Sequence, residues 1–226
     1  AMNNIPLPSR GYVLSSRFKA ALGRPPDEQE YRILRDIVDG RRDPDAPLPA
    51  DDAAGLRAFV GGATPARFVA EFEADFGAMI REVVRLSHQA VEVGNHLLIF
   101  PEGTRSVRLC KGRTGLAQIA QHVRIPIVPV GCNGSDRLYP GDSPSSKGGT
   151  VTYRVGAPIT VDDPEIASHA VPSDILPFTR QADAFETSYE AITAVVMRRI
   201  AALLDPQHLP LDGLDGREVV GVRRFL

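Results

Sequence analysis

The chain has 226 residues, of which 43% are hydrophobic and 24% charged, with 26 basic and 28 acidic side chains and a net charge of -2. That is enough apolar mass for a substantial core, and too even a charge balance for a nucleic-acid-binding protein or for a strongly basic membrane-binding face. Two cysteines, Cys110 and Cys132, without CxxC spacing, fit packed thiols in a reducing compartment. No apolar run approaches the roughly 20 residues that span a bilayer, and the N-terminus has neither the basic segment nor the apolar core of a signal peptide. The expectation is a cytoplasmic protein, with any membrane contact peripheral and at the inner membrane face. Ala1 ahead of Met2 reads as the remnant of a cleaved tag.

In chain order, Leu14, Phe18, Ala21 and Leu22 form one apolar stripe at helical spacing, and Tyr31, Leu34, Ile37 and Val38 form another. Pro25-Pro26 before Asp27-Glu28 is a helix-start signal, and Gly40 is placed to end that helix. Residues 41–52 are rich in Pro, Asp and Arg, which is loop composition. Residues 56–60 suggest a short helix broken by Gly61-Gly62, and Thr64-Pro65 restarts one as N-cap and first helical residue. Phe68, Phe72, Phe76, Met79, Ile80, Val83, Val84 and Val91 then mark a long amphipathic helix whose aromatic stripe is core rather than an acyl-chain groove, with Gly94 as its cap.

The run Leu97-Leu98-Ile99-Phe100 predicts a strand, and it ends abruptly in Pro101-Glu102-Gly103-Thr104-Arg105-Ser106. Pro101 removes a ladder donor, and Gly103 permits positive φ or close approach of a ligand. Thr104, Arg105 and Ser106 supply two hydroxyls around a guanidinium fork, which together with backbone N–H groups suits a phosphate. Glu102 can accept hydrogen bonds from sugar or glycerol hydroxyls. Arg108, Lys111 and Arg113 surround Gly112 and Gly115, a basic connection that either lines the same anion site or is simply solvated.

Downstream, Leu116, Ile119, Ala120 and Val123 predict a short helix, and residues 125–130 a buried strand whose prolines place it at a bend or sheet margin. Strand, helix and strand in that order predict a right-handed crossover and a parallel pair. Residues 131–149 are turn-rich and could form a lid, residues 150–155 alternate as a strand, and Phe185, Tyr189, Ile192, Val196, Ile200, Leu203 and Leu204 define a closing helix over one sheet face.

The heptad Phe100 to Ser106 resembles the third sequence block of the glycerolipid acyltransferases, the 1-acylglycerol-3-phosphate and lysophospholipid family. The resemblance continues through Thr114-Gly115-Leu116-Ala117 and Ala120, Ile125 to Val130 as the fourth block, and Val155-Gly156-Ala157-Pro158-Ile159 as a closing strand, covering residues 83–160. It implies transfer of a fatty acyl group from acyl-CoA or acyl-ACP, as co-substrate, to glycerol phosphate or a lysophospholipid. No other cofactor and no metal follow from it. Glu102, Gly103, Thr104, Arg105 and Ser106 become the substrate-binding residues, with Arg105 on the acceptor phosphate.

The family's base and its orienter are a His and an Asp five positions later, upstream of this block, and here no His precedes His88. The pair with that offset is His169 and Asp174, which lies on the wrong side of the block in chain order. His88 and His96 flank the predicted strand without an Asp at the needed offset, and read as a helix-surface and a strand-edge residue.

The expected fold is α/β, a partial acyltransferase-type sheet with covering helices behind a helical N-terminal region. The expected division is a helical region over 1–62, an α/β acyltransferase-like domain over 63–208 and a tail over 209–226. The alternative is a catalytically inactive acyltransferase-like binding or interaction protein that retains an anion pocket. A homo-oligomer whose partner supplies the missing base is the third option.

Overall fold

The computed structural model describes residue 5 and residues 9–48, 53–61, 64–103, 106–138 and 145–210. It divides into two compact units, one of residues up to Gln89 and one of residues from Ala90 on.

The first unit is helical. Helix α1 (Arg10–Leu22) starts at Ser9, whose side chain accepts from Tyr12 N–H, and stops at Gly23 with φ 72. Helix α2 (Glu28–Val38) opens with a capping box in which Asp27 and Glu30 each accept the other's backbone N–H. The acids after Pro25-Pro26 therefore do more than complement a dipole. Helix α3 (Ala53–Val60) is followed by the long α4 (Ala66–Glu92). Phe68, Phe72, Phe76, Ile80, Val83 and Val84 are the buried face of α4, as their spacing predicts. The rings of Phe18, Phe59, Phe68, Phe72 and Phe76 follow one another at centroid distances of 4.9, 5.0, 6.1 and 5.9 Å. Such an aromatic file is a packed core.

Glu30 is a buried acid, 5% exposed, that receives two 2.7 Å hydrogen bonds from the Arg24 guanidinium and one of 2.9 Å from Asp27 N–H. The Arg24 bonds hold its carboxyl below the ordinary carboxylate value, outweighing burial, which pushes it up.

In the second unit helix α5 (Gly115–Val123), strand β1 (Val130–Asn133), the single turn α6 (Ser135–Leu138), strand β2 (Thr152–Val155), the short α7 (Pro164–Ala167) and α8 (Arg180–Asp183), and helix α9 (Glu186–Ala201) follow in order, closed by a 3-10 turn at Pro206–His208. β1 and β2 pair antiparallel, with Val130 opposite Val155 and Asn133 opposite Thr152. A bridge between Ile127 and Ile159 extends the same pairing past Pro129 and Pro158, which cannot donate. The core joins α5 and α9 through Ala117, Ala120, Ile127, Ile159, Ile166, Tyr189, Ile192 and Val196. Asn133, 2% exposed, donates to the Leu203 carbonyl and accepts from Asp205 N–H, so the end of α9 is tied to β1.

This mixed α/β arrangement corrects two sequence expectations. The run 97–100 belongs to no strand among the described residues, and Leu98 and Phe100 are 74% and 73% exposed. With no strand there, the expected parallel crossover is absent among the described residues, and the sheet is a two-stranded antiparallel pair. β2 is exposed at every position, with Tyr153 and Val155 at 66% and 67%. Among the described residues no helix is long and apolar enough to cross a membrane.

Because the folded carboxyl of Glu30 is depressed, the unfolded chain binds the extra proton. The stabilisation is complete above the ordinary carboxylate range and is lost as pH falls through the depressed value. Wild-type stability in urea should therefore drop between about pH 5 and pH 3, and Glu30→Gln should flatten that slope. Equal slopes would show that the Arg24 pair contributes nothing.

Candidate anion-binding site

The chain turns sharply after Phe100. Gly103 N–H donates to the Phe100 carbonyl at 3.1 Å, and Gly103 takes φ 65, a left-handed conformation that side-chain-bearing residues adopt at a cost. The Pro101 carbonyl accepts Arg113 N–H at 2.8 Å. Glu102 closes the loop from inside: its Oε1 accepts Cys110 N–H at 2.6 Å and the Ser106 hydroxyl at 3.0 Å. The same hydroxyl lies 2.6 Å from the Arg108 carbonyl. A carboxylate accepting a backbone N–H is a charge-assisted bond, stronger than a neutral one. One oxygen of Glu102 is thus committed to holding the loop, and among the described residues Oε2 has no protein donor. Thr104 and Arg105 lie outside the described residues.

The returning segment is anchored on α9. A Cβ on Gly112 would meet Met197 Sδ and Thr193 Cγ2 at 2.8 Å, so only glycine allows this approach. The next residue, Arg113, is pressed against the turn: its Cδ and Nε lie 3.2 Å from the place a Cβ on Gly103 would occupy. Arg108 donates to the Leu209 carbonyl at 2.9 Å, and Lys111 pairs with Glu190 at 3.6 Å.

His169 sits just after α7 with its backbone N–H on the Ile166 carbonyl, Asp174 is exposed, and among the described residues no hydrogen bond or ion pair joins the two side chains. His88 is exposed on α4, and His96 is exposed on a segment that belongs to no strand among the described residues rather than at a strand edge.

The histidine that does lie against this loop is His208, which spacing along the chain could not reveal. It is 5% exposed, with Nδ1 2.8 Å from the Val107 carbonyl and Nε2 3.4 Å from Gly134 N–H. Its own carbonyl accepts Leu109 N–H at 2.8 Å. A carbonyl facing Nδ1 calls for a proton on that nitrogen. Through Val107 and Gly134 the His208 ring ties the loop to the end of β1. Asp136 Oδ1, 3.7 Å from Nε2, is buried without a hydrogen-bond partner. Among the described residues no group of His, Cys, Asp and Glu is arranged to hold a metal ion.

Comparison with known proteins bears on the same segment. Residues 73–133 match the family model described as Acyltransferase. A 1-acyl-sn-glycerol-3-phosphate acyltransferase from Cocos nucifera is 33% identical over 88 residues, which cover 38% of this chain and 29% of that protein. The chain thus spans under a third of the length of the curated relative it matches. No solved structure matches the chain. The resemblance carried by the Phe100 to Ser106 heptad is therefore shown for the segment that contains it.

If the Glu102 carboxylate holds the loop, Glu102→Ala strands Cys110 N–H, a loss of roughly 1–3 kcal/mol for a half-buried donor. Amide exchange at Cys110 should accelerate at least about tenfold, while Glu102→Gln, which keeps an acceptor oxygen, should stay within a few-fold of wild type. Unchanged exchange in Glu102→Ala would remove the clamp.

Proposed function

We propose, with an acyltransferase-family segment over residues 73–133 as premise, that the chain transfers a fatty acyl group from acyl-CoA or acyl-ACP to a glycerol phosphate or lysophospholipid acceptor. The observation that supports this reading is the heptad itself, placed inside the matched segment, with Gly103 N–H on the Phe100 carbonyl and Glu102 Oε1 accepting Cys110 N–H. In this reading residues 63–208 are the acyltransferase-like domain, with a helical region before it and a tail after it.

In the reaction the acceptor hydroxyl attacks the thioester carbonyl. Its proton passes to a base, and the thiolate leaves as the tetrahedral intermediate collapses. Glu102 Oε2 and the Gly103 turn shape the acceptor pocket. Arg105, flanked by Thr104 and Ser106, takes the acceptor phosphate bidentately. Ser106 contributes through Glu102, since its hydroxyl is already engaged there. We assign no residue of this chain as the base.

A second reading, an acyltransferase-like binding protein without transfer, is favoured by two observations. Among the described residues no hydrogen bond or ion pair joins the His169 and Asp174 side chains, and His208, the histidine against the loop, is 5% exposed with Nδ1 on the Val107 carbonyl. In that reading the pocket binds the phosphate and no bond is made.

An acyl-transfer assay with labelled acyl-CoA or acyl-ACP and glycerol 3-phosphate or lysophosphatidic acid separates the two. Under the first reading product forms, and Arg105→Ala raises KM for the phosphate-bearing acceptor roughly tenfold or more with the donor KM little changed. Equal loss for donor and acceptor would refute the role of Arg105. Acceptor binding without product would establish the second reading.

A further inference from the structure

The chain between α7 and α8, residues 168–179, crosses α5 without belonging to a helix or a strand. A stripe of α5 side chains holds it there. Gln118, Gln121 and His122 stand at i, i+3 and i+4, on one helix face, and each meets main chain of the crossing segment. Gln121 Oε1 accepts Val171 N–H at 3.2 Å, His122 Nδ1 lies 2.9 Å from the Ile175 carbonyl, and Gln118 Oε1 accepts Phe178 N–H at 2.6 Å. Gln118 and Gln121 are 7% and 4% exposed, so these bonds satisfy carboxamide oxygens that burial would otherwise leave bare.

The two ends of the segment differ. Val171 is 4% exposed and packs in the core with Ala117, Ala120 and Ile166. Phe178 has φ 60, a left-handed backbone that a residue with a side chain adopts at a cost. Pro177, buried just before it, has no N–H with which to add a bond there. The Phe178 ring lies over the first residue of α5, where a Cβ on Gly115 would meet Cε1 at 3.1 Å and Cζ at 3.4 Å. At this end the Gln118 bond and the ring contact work against backbone strain.

We infer that Phe178 is a strained lid over the start of α5, which opens by itself while Val171 keeps the other end of the segment in place. Opening relaxes the left-handed backbone, frees the Gln118 carboxamide oxygen and uncovers Gly115. Gly115 follows Arg113 by two residues, and Arg113 N–H sits on the Pro101 carbonyl, so the lid borders the segment that returns from the Gly103 turn. It does not depend on what that turn binds.

Amide hydrogen exchange on the full chain tests this, read as protection factors so that intrinsic rates cancel. In wild type Phe178 should be at least about tenfold less protected than Val171. Gly115→Ala suits the helix but presses a methyl group against the ring, and should lower protection at Phe178 about fivefold or more while Val171 stays within about twofold. Strain is isolated by comparing Phe178→Ala with Phe178→Gly, since both remove the ring and only glycine takes this backbone freely. Position 178 should be about threefold to thirtyfold less protected with alanine than with glycine. Equal protection of Phe178 and Val171 in wild type, or a fall of both together in Gly115→Ala, overturns the lid. Equal protection in the alanine and glycine variants removes the strain on which it depends, and overturns it too.

Discussion

The loop that holds the candidate site is organised by one carboxylate. Glu102 Oε1 draws Cys110 N–H and the Ser106 hydroxyl to itself, and this closes the chain between the turn and the segment that returns to α9. Around that clamp the other contacts fall into place: Arg113 N–H on the Pro101 carbonyl, Leu109 N–H on the His208 carbonyl, and His208 Nδ1 on the Val107 carbonyl. Each satisfies a main-chain group that an irregular loop would otherwise leave to solvent.

The sheet is small: Ile127 to Asn133 and Thr152 to Ile159 pair antiparallel, while Leu97 to Phe100 belongs to no strand among the described residues. Leu98, Phe100, Val107, Tyr153 and Val155 are each more than half exposed.

The helices were legible in the sequence because their signals are local. The stripe from Phe68 to Val84 and the start signal of Pro25-Pro26 before Asp27-Glu28 act within a few residues of each other. The strand expected at 97–100 fails for the opposite reason: an apolar run states a preference for burial or extension, and pairing depends on a distant partner that is absent among the described residues. The partner of Ile127 proved to be Ile159 and antiparallel, which no periodicity over residues 116–130 could distinguish from a parallel crossover. At the site, the residue types of the heptad were readable and their bonds were not. Glu102 looked available to a ligand, yet one of its oxygens is committed to an N–H eight residues on, and His208 meets Val107 across 101 residues. Arg105 and Thr104, the residues on which the phosphate reading leans most, lie outside the described residues.

The central claim is that this turn grips a phosphate, and backbone amide chemical shifts report on it directly. In a titration of the isotope-labelled chain, the amides of Gly103, Ser106, Cys110 and Arg113 should shift saturably with glycerol 3-phosphate and stay in place with glycerol. Resonances that do not move with glycerol 3-phosphate, or that move equally with glycerol, would contradict it.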